Sequence, residues 1–158
     1  MSEVQEDLIT EEIRSLIGVE WPPVVYEVER TGIRMWARAV GIEDPVFHDE
    51  AEARRRGFER LPAPPGFLGV PRVLPGQPEP GPPIRGLNPR LQRSLNGGTE
   101  VELCAPILAG DELVATSRIV EVKQRAGRVG PMLIITRETA FRRGQATVAR
   151  VRATVINY

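Results

Sequence analysis

The last third of the chain carries the feature that most restricts its fold, which is three long segments of strand-like alternation separated by short turns. The segments run from Asp111 to Lys123, from Met132 to Phe141 and from Ala146 to Ile156. Alternate residues of the first segment are mostly apolar, which is the period of a half-buried strand. The glycine-containing connections are too short for a crossover between parallel strands. The sequence therefore predicts an antiparallel meander of three strands.

Two shorter segments extend this sheet. Glu100 to Cys104 and Val24 to Glu29 both have strand character, which brings the predicted sheet to five strands. The remaining periodic segments are helical, so the fold class is α+β. A single sheet with one helical layer leaves strand edges exposed, and proteins commonly cover such edges by association. We therefore expect an oligomer.

The stretch from Thr31 to Asp49 begins as an amphipathic helix and ends in a polar turn. Asp44-Pro45 cannot continue the helix, because the proline ring disfavours the helical conformation of the preceding residue. The only histidine, His48, then precedes the start of a second short helix from Glu50 to Arg56. An aromatic ring, an imidazole and a carboxylate therefore share one turn, which is where we expect chemistry.

Each polar residue of this turn also has a simpler interpretation. His48 and Asp49 are typical of a solvated helix N-cap, with the carboxylate accepting backbone N–H bonds. Asp44 suits a turn that its own side chain stabilises. The arginines at 54–56 favour a solvated helix face, with contact to a phosphate group as the alternative.

The segment from Leu61 to Pro89 holds most of the fifteen prolines together with several glycines. Composition alone favours a linker here. The run from Leu74 to Pro83 is interpreted as a polyproline-like loop, with either a binding role or a purely structural role on the surface.

Composition excludes several function classes. At 158 residues the chain fits one domain, and 21 basic residues balance 21 acidic ones, so no net field favours nucleic acid. The single cysteine, Cys104, is expected to be a small buried residue, provides neither a disulfide nor a metal cluster, and suits the cytoplasm. We expect no signal peptide, no membrane span, no metal and no cofactor.

An ordered set of motifs resembles a known family. Gly41, Pro45, Val46, Asp49, Ala53 and Gly57 have the spacing of the hydratase-2 region of the MaoC-like dehydratases. Further family landmarks follow in order: Ala63-Pro64-Pro65 with Phe67, Leu95-Asn96-Gly97-Gly98, Glu102, Pro106 and Gly110-Asp111. Within this family the chain is most similar to the N-terminal, FAS1-like dehydratase subgroup. The resemblance covers roughly Tyr26 to Val155.

The resemblance implies a hot-dog fold, in which a five-stranded antiparallel sheet wraps around a central helix. It implies one such domain over 1–158, with an N-terminal helix in 1–23 and a proline-rich loop at 74–90. The central helix is expected to begin in Gly66 to Val73, after the Ala-Pro-Pro motif. The implied substrate-binding residues are Asp44, Phe47, Pro65, Phe67, Asn96, Gly97 and Gly98. A β-turn is the alternative role for Asn96 and its two glycines.

The chain departs from the family at the catalytic positions. The active motif reads Gly-Asp-x-Asn-Pro-aliphatic-His, and alignment on Gly41 and Pro45 puts Ile42 and Phe47 where the Asp and His belong. Neither side chain can transfer a proton. A shift of one residue would instead place Glu43 and His48 at the family's five-residue spacing, so both are candidate catalytic residues.

Three functions are compatible with these observations. The first is the non-catalytic, substrate-shaping subunit of a heteromeric (R)-specific enoyl-thioester hydratase or 3-hydroxyacyl-thioester dehydratase. The second is a self-sufficient hydratase that uses Glu43 and His48. The third is a non-enzymatic acyl-thioester-binding homodimer. All three take an acyl-CoA or an acyl-carrier thioester and place a second hot-dog subunit beside this one.

Overall fold

The computed structural model describes residues 7–77, 81–128 and 130–158. In these ranges six antiparallel strands form one sheet: β1 (Val24–Glu27), β2 (Val70–Pro71), β3 (Ser94–Leu103), β4 (Glu112–Gly127), β5 (Gly130–Arg143) and β6 (Ala146–Asn157). Their order across the sheet is β2-β1-β4-β5-β6-β3. The predicted meander of three long strands is confirmed, since β5 pairs antiparallel with both β4 and β6. The predicted count of five strands misses only the two-residue edge strand β2.

Within the described residues, three α-helices accompany the sheet: α1 (Glu11–Leu16), α2 (Arg30–Ala39) and α3 (Glu50–Arg55). The longest, α2, lies against one face of the sheet, where Ile33 and Ala37 are fully buried. Ile33 shares a core cluster with Leu113 of β4 and Phe141 of β5. The sheet therefore curls around α2, which is the hot-dog arrangement.

The prediction that the central helix begins in Gly66 to Val73 is wrong. That segment contains a turn and the short strand β2, and no helix. Gly66 and Gly69 adopt φ of 95° and 90°, outside the helical region, and a helix would also leave Pro71 without its hydrogen bond. The central helix is the one predicted from Thr31 onwards.

The N-terminal helix is shorter than the predicted span of 1–23. Among the described residues it covers only Glu11–Leu16, with Thr10 as its N-cap. Gly18 follows at φ 83°, and its N–H donates to the Ile119 carbonyl of β4, so the chain leaves the helix to pair with the sheet. Residues 1–6, which the prediction also included, lie outside the described part.

The turn predicted at Asn96-Gly97-Gly98 is also wrong, because these residues lie within β3. The pairing of β3 with β6 shifts register between Asn96 and Gly98, which marks a β-bulge. A Cβ on Gly97 would stand 3.1 Å from the Thr154 side chain, so the close approach of β6 explains a glycine here. Strand β3 is an outer edge of the sheet, and all ten of its residues are exposed.

Candidate functional site

The turn that follows α2 is built as the sequence predicts. Asp44 caps a 3-10 turn (Pro45–Phe47), its Oδ1 accepting from the Val46 N–H at 3.0 Å. That bond, with the Arg56 guanidinium in support, lowers the pKa of the Asp44 carboxyl although partial burial opposes the change. Asp49 is the N-cap of α3 and accepts from the Ala51 N–H at 2.8 Å. Both carboxylates therefore already hold backbone donors.

His48 is oriented by the backbone of the same turn. Its Nε2 lies 2.7 Å from the Ile42 carbonyl oxygen, which can only accept, so Nε2 carries a proton and donates it. The His48 carbonyl accepts from Arg34 Nε at 2.9 Å. Glu43 is exposed, and within the described residues no hydrogen bond or ion pair joins it to His48. The two candidate catalytic residues are neighbours on the turn without direct contact.

The arginines that follow on α3 are engaged in ion pairs. Arg55 and Arg56 both bind Glu52, at 2.7 and 2.6 Å, and Arg56 also binds Asp44 at 3.0 Å. The hydrogen bonds from Arg55 and then Arg56 lower the pKa of Glu52 to about 2. Arg54 lies 3.6 Å from Glu50. This is the solvated, self-paired helix face that was the simpler interpretation.

A cavity of about 340 Å³ lies between the sheet and the segment that follows α3. Its apolar walls come from Tyr26, Trp36, Phe67 and Phe141. The Tyr26 and Phe141 rings meet edge to face with centroids 5.1 Å apart. Trp36 and Phe67 meet at 6.3 Å, so aromatic rings from four separate parts of the chain enclose one space.

The opposite end of the cavity is polar. Ser117 of β4 and Thr139 of β5 hydrogen bond through their hydroxyls at 2.8 Å, and Arg137 of β5 lines the same end. Burial raises the pKa of Tyr26, with the positive charge of Arg137 opposing that rise. The lining contains no imidazole and no carboxylate among the described residues.

Of the nine predicted site residues, only Phe67 lines this cavity. Phe47 packs against the core cluster around α2. Pro65 is exposed, and Asn96, Gly97 and Gly98 lie on the edge strand β3. Asp44, Glu43 and His48 stay on the turn after α2.

Sequence reasoning missed Tyr26, Trp36, Ser117, Arg137 and Thr139. One signal was available for the arginine, because Leu133, Ile135, Thr139 and Phe141 occupy the inward positions of β5 and Arg137 falls in the same alternation. Cys104 was expected to be buried but is exposed, because it follows the end of the outer strand β3.

The helices of the described residues lack the length and the apolar composition that a membrane span requires.

Comparison with known proteins identifies the family. Residues 15–151 match the family model of the FAS1-like dehydratase domain region. The chain is 35% identical over 116 residues to a UPF0336 protein of Streptomyces avermitilis, covering 72% of this chain and 75% of that protein.

Two solved structures share the fold. The ChsH1–ChsH2 complex from Mycobacterium tuberculosis superposes with a TM-score of 0.67 at 19% identity, covering 88% of each chain. The HadBC complex, a 3R-hydroxyacyl-ACP dehydratase from the same organism, superposes with a TM-score of 0.66 at 20% identity, covering 97% of this chain and 99% of that one. The solved structures of two MaoC-like dehydratases share this fold as well. The chain belongs to the FAS1-like dehydratase region family.

Proposed function

We propose that this protein is the non-catalytic, substrate-shaping subunit of a heteromeric (R)-specific enoyl-thioester hydratase or 3-hydroxyacyl-thioester dehydratase. The observation that carries the proposal is the lack of an acid–base pair. When the chain is aligned on Gly41 and Pro45, Ile42 and Phe47 fall at the family's catalytic positions. The lining of the aromatic cavity has no carboxylate or imidazole among the described residues. Proton transfer at the substrate needs such groups within hydrogen-bond reach, so a partner subunit supplies them.

The geometry of His48 supports this assignment over a self-sufficient enzyme. A general base must reach the substrate, yet neither His48 nor Glu43 belongs to the lining of the aromatic cavity. Because Nε2 donates to the Ile42 carbonyl at 2.7 Å, Nδ1 is the ring nitrogen left to accept a proton. The Glu43/His48 hydratase is the alternative, and a substrate-induced rearrangement of this turn would be required to activate it.

The exposed edge strand β3 is the surface where we place the second hot-dog subunit. Val101 and Leu103 are 40% and 45% exposed, although they lie opposite Val151 and Ala149, which contact the core around α2. Directly opposite residues of paired strands project from the same face of a sheet, so this strip faces the helix side, and no helix of the described residues covers it. Both structural neighbours described above are two-protein complexes, which supports the heteromeric form.

The role of this subunit would be to bind and shape the acyl group of a CoA or acyl-carrier thioester in the aromatic cavity. The proline-rich loop at 74–90 borders that cavity through Gly81, so its length and shape would select the acyl chain. The free, exposed thiol of Cys104 is compatible with the reducing cytoplasm, where we place the protein.

The test is hydration of crotonyl-CoA and of a longer enoyl-CoA by the purified chain, followed as loss of enoyl absorbance. We expect no turnover above the buffer rate, together with measurable acyl-CoA binding. Turnover that either His48→Ala or Glu43→Ala abolishes would contradict the proposal and establish the self-sufficient hydratase.

The docking edge has its own test. Val101→Glu with Leu103→Glu should prevent association with a hot-dog partner in size-exclusion chromatography with light scattering, because two charges would be buried in the interface. The matched control is Val114→Glu, which places a charge at a valine of β4 that is also 39% exposed. Equal loss of association in both variants would argue against β3 as the edge.

A further inference from the structure

Arg137 occupies a position on the sheet where every neighbour along its own strand face is buried. On this face of β5 the preceding residue is Ile135, which belongs to the core cluster around α1. The next two residues on the face are Thr139 and Phe141, and Phe141 belongs to the core cluster around α2. Its partners across the sheet are Ile119 and Ala153. The guanidinium therefore lies on the inward face, at the boundary between the two hydrophobic clusters, where the cavity is found.

This guanidinium has no partner in the described part of the chain. Within residues 7–77, 81–128 and 130–158 it forms no ion pair or hydrogen bond, and its Nε is shielded from solvent without an acceptor. Arginines on the other face of the same sheet behave differently, since Arg118 and Arg152 both bind Glu138, at 3.1 and 3.4 Å. A buried donor without an acceptor costs free energy, and a charged one costs more. A ligand with an acceptor would remove that cost.

Hydroxyl donors lie beside this cation. Ser117 and Thr139 share one hydrogen bond of 2.8 Å, which uses only one of their two O–H groups. Gly81 shows how close these groups are: a Cβ built on it would lie 3.4 Å from Arg137 Nη1 and 3.6 Å from Ser117 Oγ. Cation and hydroxyl therefore converge on one small volume at the polar end of the aromatic cavity.

A second, outer groove meets the cavity at the same residue. It runs under the proline-rich loop between Trp21 and Arg85, and Arg137 lines both spaces. An occupant would thus have hydrocarbon against the aromatic walls and an oxygen-bearing group at the guanidinium. Planar, bidentate recognition by arginine suits a carboxylate.

We propose that Arg137, with the hydroxyls of Ser117 and Thr139, binds a carboxylate carried on a medium-length hydrocarbon chain, the chain filling the aromatic cavity. The ligand is either a free carboxylate or an acyl thioester with a terminal carboxylate. A volume of about 340 Å³ lies at the small end of the range for ligand pockets, which favours medium over long chains. The site is the same aromatic cavity in which the acyl group was placed above, so its acyl-thioester form rests on the proposed function, whereas binding of a free carboxylate requires neither turnover nor a partner subunit.

Calorimetric titration of the purified full chain with octanoate, octan-1-ol and octylamine tests the head group. We expect octanoate to bind about 10- to 100-fold more tightly than the alcohol, with the amine weakest. Arg137→Met should abolish the preference for octanoate while the chain stays folded, because methionine removes an unpaired cation from a largely apolar surface. Arg137→Lys should retain part of the preference, since it keeps the charge without the planar fork.

The matched control is Arg152→Met, on the opposite face of the same sheet, which should leave octanoate binding unchanged. Equal affinity for octanoate and octan-1-ol, or octanoate binding that survives Arg137→Met, would overturn the proposal. Comparing the affinity for suberyl-CoA with that for octanoyl-CoA identifies the source of the carboxylate. If suberyl-CoA binds more tightly than octanoyl-CoA and this preference depends on Arg137, the ligand is an acyl thioester that ends in a carboxylate. If the two CoA esters bind equally while octanoate binding depends on Arg137, the ligand is a free carboxylate.

Discussion

Asp111 holds together three parts of the chain, and removing its charge should lower stability measurably. Its side chain is only 2% exposed and accepts from the Leu108 N–H at 2.9 Å, from Arg60 at 2.9 Å and from Arg143 at 2.7 Å. Arg60 comes from the segment after α3 and Arg143 from the end of β5. One carboxylate therefore joins the start of β4 to two distant segments.

The expected loss for Asp111→Asn follows from these contacts. A hydrogen bond to a charged group contributes about 1.5–3 kcal/mol, but the two arginines are 44% and 39% exposed, so their ion pairs are largely screened. The NH2 group of the asparagine would also face an N–H donor that the carboxylate accepts from in the wild type. We expect a loss of about 2–3 kcal/mol, which for a chain of this length lowers Tm by about 4–12 °C.

Thermal unfolding followed by circular dichroism measures this loss, with Glu138→Gln as the matched control. Glu138 also binds two arginines, Arg118 and Arg152, but at the surface of the sheet. Its substitution should cost less than about 1 kcal/mol. If the two variants unfold within about 1 °C of each other, burial does not strengthen the Asp111 contacts and the reasoning is refuted.

Three further predictions concern stability. Burial alone would raise the pKa of Asp111, but the Leu108 N–H, Arg143 and Arg60 lower it overall. The stability that the Asp111 carboxylate contributes is therefore present above about pH 4 and is lost as the pH falls through the lowered pKa. The stability difference between the wild type and Asp111→Asn should accordingly shrink in acid unfolding, and a constant difference would contradict this. Gly69→Ala places a Cβ 2.8 Å from the Glu27 carbonyl oxygen at φ 90° and should cost more stability in urea unfolding than Gly41→Ala, which meets only open space at φ 74°; equal losses would contradict the clash. Asp49→Ala removes the N-cap of α3 and should cost about 0.5–2 kcal/mol in the same assay, and no loss would show that the cap is not formed.

The fold was largely predictable because its strongest signals are local. The alternation of β4, β5 and β6, the helix from residue 31 and the capping carboxylates Asp44 and Asp49 all depend on neighbours in sequence. The errors arose where distant contacts decide the structure. Asn96-Gly97-Gly98 has the composition of a turn, yet pairing with β6 draws it into a strand with a bulge.

The cavity was less predictable than the fold, because its lining comes from segments far apart in the chain. The family motif drew attention to Glu43 and His48, which remain predicted catalytic residues, whereas the described cavity depends on Trp36, Phe67 and Arg137. The aromatic residues are ordinary core residues by sequence pattern, and only the packing of the segment after α3 shows that they enclose space. Arg137 alone had a sequence signal, as a charge on an apolar strand face.

The central claim, that catalysis needs a second subunit, is tested most directly in a reconstituted pair. A hot-dog chain that co-purifies with this one and carries the Asp and His of the hydratase motif would serve as the partner. The measurement is kcat for hydration of a medium-chain enoyl-CoA by the reconstituted complex. We predict that substituting the partner's Asp or His abolishes kcat, while His48→Ala and Glu43→Ala in this chain leave it unchanged. Loss of kcat on His48→Ala, with the complex still assembled, would contradict the account.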